Sequence, residues 1–572
     1  VVILAIGIAV LPLLAAVPRV LSKGAFALNG DDALIELRVR DVGTRATPLV
    51  GSYQRYGFNQ PGPLLFYLLA APYRLLGARF AGLQVAALLA NAAALAGLAA
   101  VGVRRGGTLL ALWLLLGFSA LAYALGATRL ADPWEPNILV LPFALLIVLA
   151  AELASGRRAA LVATAALATV LAQAYAVLAP AVVGLAAWGV VAYAVGVHRR
   201  RAEQPVREEW RASRRVLVLT TAVLAALWLP AVIDQAVGEA NITAMRKFAS
   251  GSRPTLGVAD AYRAVALQLD GRASWLHDLE LEATVVDLRG APAVPAALIV
   301  LVAATALAAA RRQTDAALLG GTVLAAVAAS VVGLSRVTGD LFPWILVWTK
   351  ALGAATWVAS GWCLYRSLPD RSTVRAEKVL LPIVAVGLAA VSMVNLVDAV
   401  THDPTPNVQH DAAVELAGRA VTVARAVDGP VLVTSTAEAG TVFGGRGFGE
   451  EELVLALDRA GHDVVVDPSR GNRYGLHRAE PDTAVFEVRL VSSAERPDGF
   501  DVVDSVALTP PADRQEREEL IAVIGERSDG GSLEDLARLA ERDPELRAAI
   551  DRLEEIPDLP TLTLLARELP PR

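Results

Sequence analysis

The sequence predicts a mainly α, polytopic membrane protein with about eleven transmembrane helices, external juxtamembrane helices and a C-terminal extracytoplasmic α/β domain. Three observations carry that expectation. Hydrophobic residues make up 55% of the 572 residues and mean hydropathy is +0.49, whereas soluble domains stay near half apolar even with glycine counted. The apolar residues come in blocks of about twenty, the length that crosses a bilayer core as a helix. Arginine clusters recur between alternate blocks, and beyond about residue 400 the blocks give way to short alternating runs.

Taken in order, the blocks fall at 1–21, 81–102, 107–126, 138–154, 159–176, 178–197, 216–233, 291–310, 315–334, 341–365 and 379–398. Val1–Leu21 is long enough to span and lacks a clear small-residue cleavage pattern, so it reads as a retained helix rather than a signal peptide. Arg104 and Arg105, Arg157 and Arg158, Arg199 to Arg215, Arg311 and Arg312, and Arg366 to Lys378 occupy every second connection. That is the positive-inside pattern. It places the loops 22–80, 127–137, 234–290 and 335–341 outside, together with the C-terminal region.

Pro61–Leu76 is apolar but short, opens Pro-Gly-Pro, and carries Tyr73 and Arg74. It reads as an interfacial helix lying on the membrane, although a spanning helix would fit the charges if the 22–60 segment lay on the other side. Residues 1–400 thus form the membrane domain and 401–572 the second domain. His402-Asp403-Pro404-Thr405-Pro406 reads as the linker. Beyond it, VLVTS at 431–435 and DVVVD at 463–467 flank the helical EEELVLALDRAG, a strand-helix-strand order typical of a small α/β domain. The charged stretch 511–572 reads as a helical appendage.

Composition excludes several classes. The net charge of −5 comes with no basic surface for nucleic acid. The single cysteine, Cys363, lies in an apolar run and forbids an intrachain disulfide or a multi-cysteine metal site. No P-loop, dinucleotide fingerprint, nucleophile elbow or zinc spacing occurs.

Chemistry-bearing residues concentrate beside the predicted spans. Asp31 and Asp32 follow the first helix, with Glu36 on the same helical face as Asp32; capping of a helix start is the bland alternative. Tyr53, Arg55, Tyr56, Asn59 and Gln60 mix aromatic and hydrogen-bonding groups as a sugar site does. A second acidic cluster, Asp132-Pro133-Trp134-Glu135-Pro136-Asn137, lies between two spans on the predicted outer side. Arg129 and Arg336 are cations at the same edge, and Lys350 lies about ten residues into its span, where a charge costs about 2.5–3.5 kcal/mol on insertion scales. A phosphate partner and an internal salt bridge both explain such a lysine. Asn241-Ile242-Thr243 is a glycosylation sequon in the long loop.

The order of these parts resembles the GT-C superfamily of membrane glycosyltransferases, which use polyprenyl-phosphate-linked sugars, and in detail its actinobacterial arabinofuranosyl- and mannosyltransferases. The resemblance covers about residues 1–400. It rests on GDDALIEL, SYQRYGFNQPGPLLFYLLAAPYRLLG, DPWEPN, LWLPAVIDQ and SRVTGDLFPW. It implies an essential acid soon after the first helix and juxtamembrane helices on the outer leaflet. Gln60 stands where close relatives often carry His before Pro-Gly-Pro, so a titratable group is missing there.

The implied chemistry is transfer of a sugar from a polyprenyl-phosphate donor to an envelope glycan, lipid or protein acceptor, with inversion. Asp31 or Asp32 would supply the base with Glu36 beside it. Asp132, Glu135 and Asn137 would bind the acceptor, Tyr53, Tyr56, Asn59, Gln60 and Trp134 the sugar, and Arg55, Arg129, Arg336 and Lys350 the donor phosphate. A divalent cation is left open as a cofactor. The expected setting is the plasma membrane, with the site and the second domain extracytoplasmic. A transporter or flippase of lipid-linked saccharides, or a non-catalytic envelope scaffold, is the alternative.

Overall fold

The computed structural model describes residues 1–23, 30–200, 206–277, 285–402, 408–436, 449–492, 497–528, 543–556 and 561–570. Residues 403–406 of the predicted linker lie outside the described residues. The chain divides into two compact units, Val1–Phe26 with Arg38–Pro404 and Ala27–Leu37 with Thr405–Arg572.

In a bilayer a segment has to satisfy its own backbone polar groups, so apolar blocks of this length fold as helices. In chain order the first unit holds α1 (Val2–Lys23), the end of α2 (Gly30–Asp41), a hairpin of β1 (Tyr53–Gln54) and β2 (Phe58–Asn59), and α3 (Leu64–Leu75). There follow α4 (Phe80–Ala131), α5 (Glu135–Ile138), α6 (Val140–Ala154), α7 (Ala160–Ala174), α8 (Ala179–Arg200) and α9 (Val206–Val237). Then come α10 (Asn241–Ala249), α11 (Gly257–Ala266), α12 (Ala296–Ala310), α13 (Thr314–Leu334), α14 (Pro343–Leu346), α15 (Lys350–Arg366) and α16 (Asp370–Thr401). Helix α1 packs against α4 and α16, and α6 lies among α4, α7 and α8. Ile3, Leu4, Val218, Ile383 and Val386 are exposed, which suits a surface solvated by lipid chains.

Among the described residues seven helices are long and apolar enough to cross a membrane, fewer than the eleven blocks. The blocks 81–102 and 107–126 both fall within α4, which is two helices meeting at a kink where Gly106 and Gly107 have non-helical backbone, the latter with φ of 70°. Helices α7 and α12 have 15 residues each and α15 has 17, below full spanning length. Helix α3 has 12 residues, a rise of about 18 Å against a hydrocarbon core of about 30 Å, so it is too short to cross. It packs against α4 and α7, and Tyr67 Oη donates to Pro48 O at 2.6 Å, fixing the preceding loop.

The second unit is built on a five-stranded sheet, in the order β4 (Val464–Val466), β3 (Val431–Ser435), β5 (Phe486–Ser492), β7 (Thr561–Glu568), β6 (Asp501–Ala507). Strands β3, β4 and β5 are parallel, and β7 runs antiparallel to β5 and β6. Helices α17 (Val408–Ala424) and α18 (Glu450–Arg459) pack on one another. Leu416, Leu453, Val466, Val488 and Leu564 share a core with Ala33, Leu34 and Leu37 of α2. The C-terminal stretch is therefore not a helical appendage. Helices α20 (Pro511–Ser528) and α21 (Pro544–Glu555) do form, with α19 (Gly471–Tyr474) earlier in the unit, but Thr561–Glu568 is an interior strand. Its TLTLLA run buries five consecutive residues, and a strand covered on both faces carries no alternation to announce itself.

The first turn of α18 carries three buried carboxylates. Glu450 is held by Ser435, Arg470 and Tyr474, and Glu451 pairs with Arg473. Burial pushes the Glu451 carboxyl up to about 8, with Arg473 only partly opposing it. Between the ordinary value of 4.5 and about 8 the folded unit keeps a proton that the unfolded chain has released, so its stability falls as pH rises through that window. Hydrogen exchange on the full chain is expected to show weaker protection of β3 and α18 at pH 8 than at pH 5 after correction for intrinsic rates. Glu451→Gln should remove the difference, and equal protection at both pH values in the unaltered chain would contradict the assignment.

Candidate functional site at the Gly126 end of the helical unit

Helix α4 breaks near its C-terminus at Gly126, whose φ of 72° and ψ of 166° are not helical and favour a residue without Cβ. The break frees the Ala124 carbonyl and the Ala127 N–H. Lys350 Nζ donates to Ala124 O at 3.2 Å and to His277 O at 2.6 Å. The Ala127 N–H donates to Asp398 Oδ2 at 2.8 Å. Two charged side chains on α15 and α16 thus replace the lost helical hydrogen bonds, and the last turn of α4 leads into Asp132.

The DPWEPN turn is ordered by its own acid. Asp132 accepts from the Trp134 N–H through Oδ1 at 2.8 Å and from Asn137 Nδ2 through Oδ2 at 2.6 Å, which fixes the direction of both oxygens. Glu135 is buried at the start of α5.

From this turn a continuous array of rings crosses to the β1–β2 hairpin. The Trp134 and Trp344 centroids are 6.3 Å apart, and Trp344 stacks on Phe342 at 4.4 Å. The Arg55 guanidinium sits 4.9 Å from the Phe342 centroid and 5.4 Å from that of Tyr56. Phe248 lies 4.8 Å from Tyr56 and 5.0 Å from Phe58. Tyr56 Oη donates to Thr338 O at 2.9 Å, tying the hairpin to the segment after α13.

The hairpin is positioned by Asn241, which is 3% exposed. Its Oδ1 accepts from Asn59 N at 2.8 Å, and its Nδ2 donates to the carbonyls of Asn59 at 3.1 Å and Gln60 at 3.2 Å. Its own N–H donates to Asp234 Oδ2 at 2.9 Å. The sequon asparagine is therefore a buried strut, not an accessible glycan acceptor.

The sequence-predicted residues separate into three sets. Trp134, Asp132, Asn137, Arg55 and Tyr56 belong to the array or its turn, with Glu135 beneath it; Tyr53 is in β1 opposite Asn59. Arg129 is half-buried in the last turn of α4 and Arg336 is exposed two residues before Thr338. Asn59 and Gln60 are buried; Gln60 Oε1 accepts from Ala176 N at 2.7 Å, while the contacts of Asn59 with Asn241 run through the Asn59 backbone. Lys350 is likewise engaged with carbonyls, which explains its depth without a phosphate.

Asp31, Asp32 and Glu36 fall in the second unit. Asp32 and Glu36 are buried, and Arg459 grips both oxygens of Glu36, Nε to Oε1 at 2.8 Å. That two-pronged pairing anchors the end of α2 to α18. Sequence reasoning missed Phe248 and Arg253, which carry no local motif. Among the described residues no group of three or more His, Cys, Asp or Glu is arranged to hold a metal ion.

The fold so described is that of a multi-pass helical membrane protein joined to an α/β unit. It is similar to ArnT from Cupriavidus metallidurans in the apo state, with a TM-score of 0.51 and 13% identity over 88% of this chain and 96% of that one. ArnT from the same organism bound to undecaprenyl phosphate gives a TM-score of 0.49 with the same identity and coverage. At that identity the likeness shows the fold alone. No protein-family model and no curated protein matches the chain.

If Lys350 serves the backbone, Lys350→Met should cost about 1–3 kcal/mol from the stranded carbonyls, read as a lower thermal midpoint in detergent. Donor-lipid affinity per folded molecule should be unchanged, whereas a phosphate ligand would lose affinity without losing stability. Asn241→Ala is expected to destabilise by a similar amount and to increase proteolysis between Gly51 and Gln60. Unaltered proteolysis there would show that the hairpin does not depend on the amide.

Proposed function

We propose that the chain is a membrane glycosyltransferase of the GT-C type that moves a sugar from a polyprenyl-phosphate donor to an envelope glycan, lipid or protein acceptor, on the outer face of the membrane and with inversion. The fold supports the class, since ArnT is a GT-C glycosyltransferase. The observation that carries the reading is the continuous array from Asp132 and Trp134 through Trp344 and Phe342 to Arg55 and Tyr56. It joins an oriented carboxylate, aromatic faces and guanidinium groups at one end of a lipid-solvated bundle.

The chemistry follows from the donor. The acceptor hydroxyl oxygen bonds to the anomeric carbon as that carbon's bond to the phosphate oxygen breaks. The hydroxyl proton passes to a carboxylate, and the electron pair of the broken bond leaves on the polyprenyl phosphate. Guanidinium groups offset the charge that grows there, through charge-assisted hydrogen bonds. In this reading Arg129 and Arg336 are the cations assigned to the donor phosphate, with Lys350 assigned to the backbone. Asp132 is the carboxylate the array itself contains and is the proposed base; Asp31 and Asp32 are the alternatives.

Purified protein in lipid nanodiscs, given a panel of radiolabelled polyprenyl-phosphoryl sugars and an envelope glycan extract, should form a new glycosidic linkage. Asp132→Asn should lower kcat by about 100-fold or more, the scale of general-base loss. Full turnover in Asp132→Asn with loss in the Asp31→Asn, Asp32→Asn double variant would move the base to those acids. Movement of labelled lipid across the bilayer with no new linkage would replace the transferase reading by a flippase.

A further inference from the structure

We propose that Arg55 and Arg253 together form an anion-binding subsite for the acceptor, so that the acceptor is a saccharide bearing a phosphate or carboxylate group. The inference rests on the glycosyltransferase reading only in naming the bound molecule the acceptor.

The two arginines come from elements far apart in sequence, the β1–β2 turn and the segment after α10, and meet on one ring. Both guanidinium carbons lie within 6.0 Å of the Tyr56 centroid. Each is also seated on a second ring, Arg55 on Phe342 at 4.9 Å and Arg253 on Phe248 at 4.6 Å. Such contacts contribute about 0.5–1 kcal/mol at exposed positions, enough to narrow the conformers of a long side chain. A guanidinium over a ring still carries N–H groups that can make the two-pronged bond matching phosphate or carboxylate.

Neither arginine has a carboxylate partner among the described residues, although the chain carries 57 acids against 52 Lys and Arg. Elsewhere in the same unit Arg38 pairs with Asp41, Arg104 with Glu152 and Arg263 with Asp260. Asp340 is the nearest acid in sequence to the segment that binds Tyr56 Oη, and it is exposed and pairs with neither. Lys247, next to Phe248, and Arg336, close to Thr338, are exposed as well. Like charges held together without a counter-charge create a local positive potential that an arriving anion relieves.

That anion comes from the aqueous side. Arg55, Arg246, Lys247, Ser252 and Arg253 are exposed loop or helix-end residues, and most exposed large apolar side chains lie on the longer helices. A water-soluble glycan reaches these arginines directly. In this assignment Arg55 faces the acceptor, and the donor phosphate falls to Arg129 and Arg336.

The test measures binding without turnover. Full-length protein in nanodiscs is titrated with mannotriose, with mannotriose carrying a phosphate monoester, and with a short-chain polyprenyl phosphate. The phosphorylated trisaccharide should bind at least ten times more tightly than the neutral one. The Arg55→Gln, Arg253→Gln double variant should abolish that preference and leave polyprenyl phosphate affinity within twofold. No preference in the unaltered protein, or a preference that survives the double variant, would overturn the subsite. A double variant that loses polyprenyl phosphate while keeping the phosphosaccharide would assign the pair to the lipid and overturn it too. Absence of sugar transfer with every donor, alongside an Arg55- and Arg253-dependent preference, would remove the transferase reading and leave the anion subsite standing.

Discussion

The break in α4 at Gly126 is the constraint on which the candidate site depends. A helix that continued unbroken would carry Ala127 to Ala131 along the bundle axis, and Asp132 with them. Breaking it exposes a carbonyl and an N–H inside the protein, each costing about 1–3 kcal/mol if left unsatisfied. Lys350 and Asp398 supply the missing partners. A charge within a span is itself costly, so these two residues are intelligible as the groups that stabilise the bend. Everything downstream, from the Asp132 turn to the Trp134–Trp344 contact, starts from that redirected chain.

The second support is the chain of hydrogen bonds from Asp234 through Asn241 to Asn59 and Gln60. It sets the hairpin at a fixed place beside α10. With Tyr56 tied to Thr338, three loops distant in sequence share one ring cluster. Neither support touches a substrate in the proposed chemistry; both decide where the groups that do are held.

Hydropathy made much of the helical unit legible, because an apolar block of spanning length has only one way to satisfy its backbone. It was less informative about length: the break between the blocks at Gly106 and Gly107 is there in the backbone, but helices of 15 residues look on paper like full spans once their flanks are counted. The parallel β3-α18-β4 unit was readable from alternating short runs. Strand β7 was not, because its neighbours in sequence are charged helices and its own residues are covered on both faces. Of the site, the DPWEPN and SYQRYGF motifs were visible as unusual mixtures of rings, acids and cations. The hydrogen bonds around them were not: neither the contact of Gln60 with Ala176 N nor that of Lys350 with the Ala124 and His277 carbonyls can be read in one dimension. Arg253 was invisible because its meaning lies in a ring nearly two hundred residues earlier.

The central claim is that the array between Asp132 and Tyr56 is where substrate is bound. The most direct test is photo-crosslinking with a polyprenyl-phosphoryl sugar carrying a diazirine on the sugar, followed by mapping of the attached peptides. The account predicts adducts in the segments around Arg55–Tyr56, Asp132–Asn137 and Phe342–Trp344. Adducts confined to the opposite end of the bundle, around Arg104 and Arg157, would contradict it.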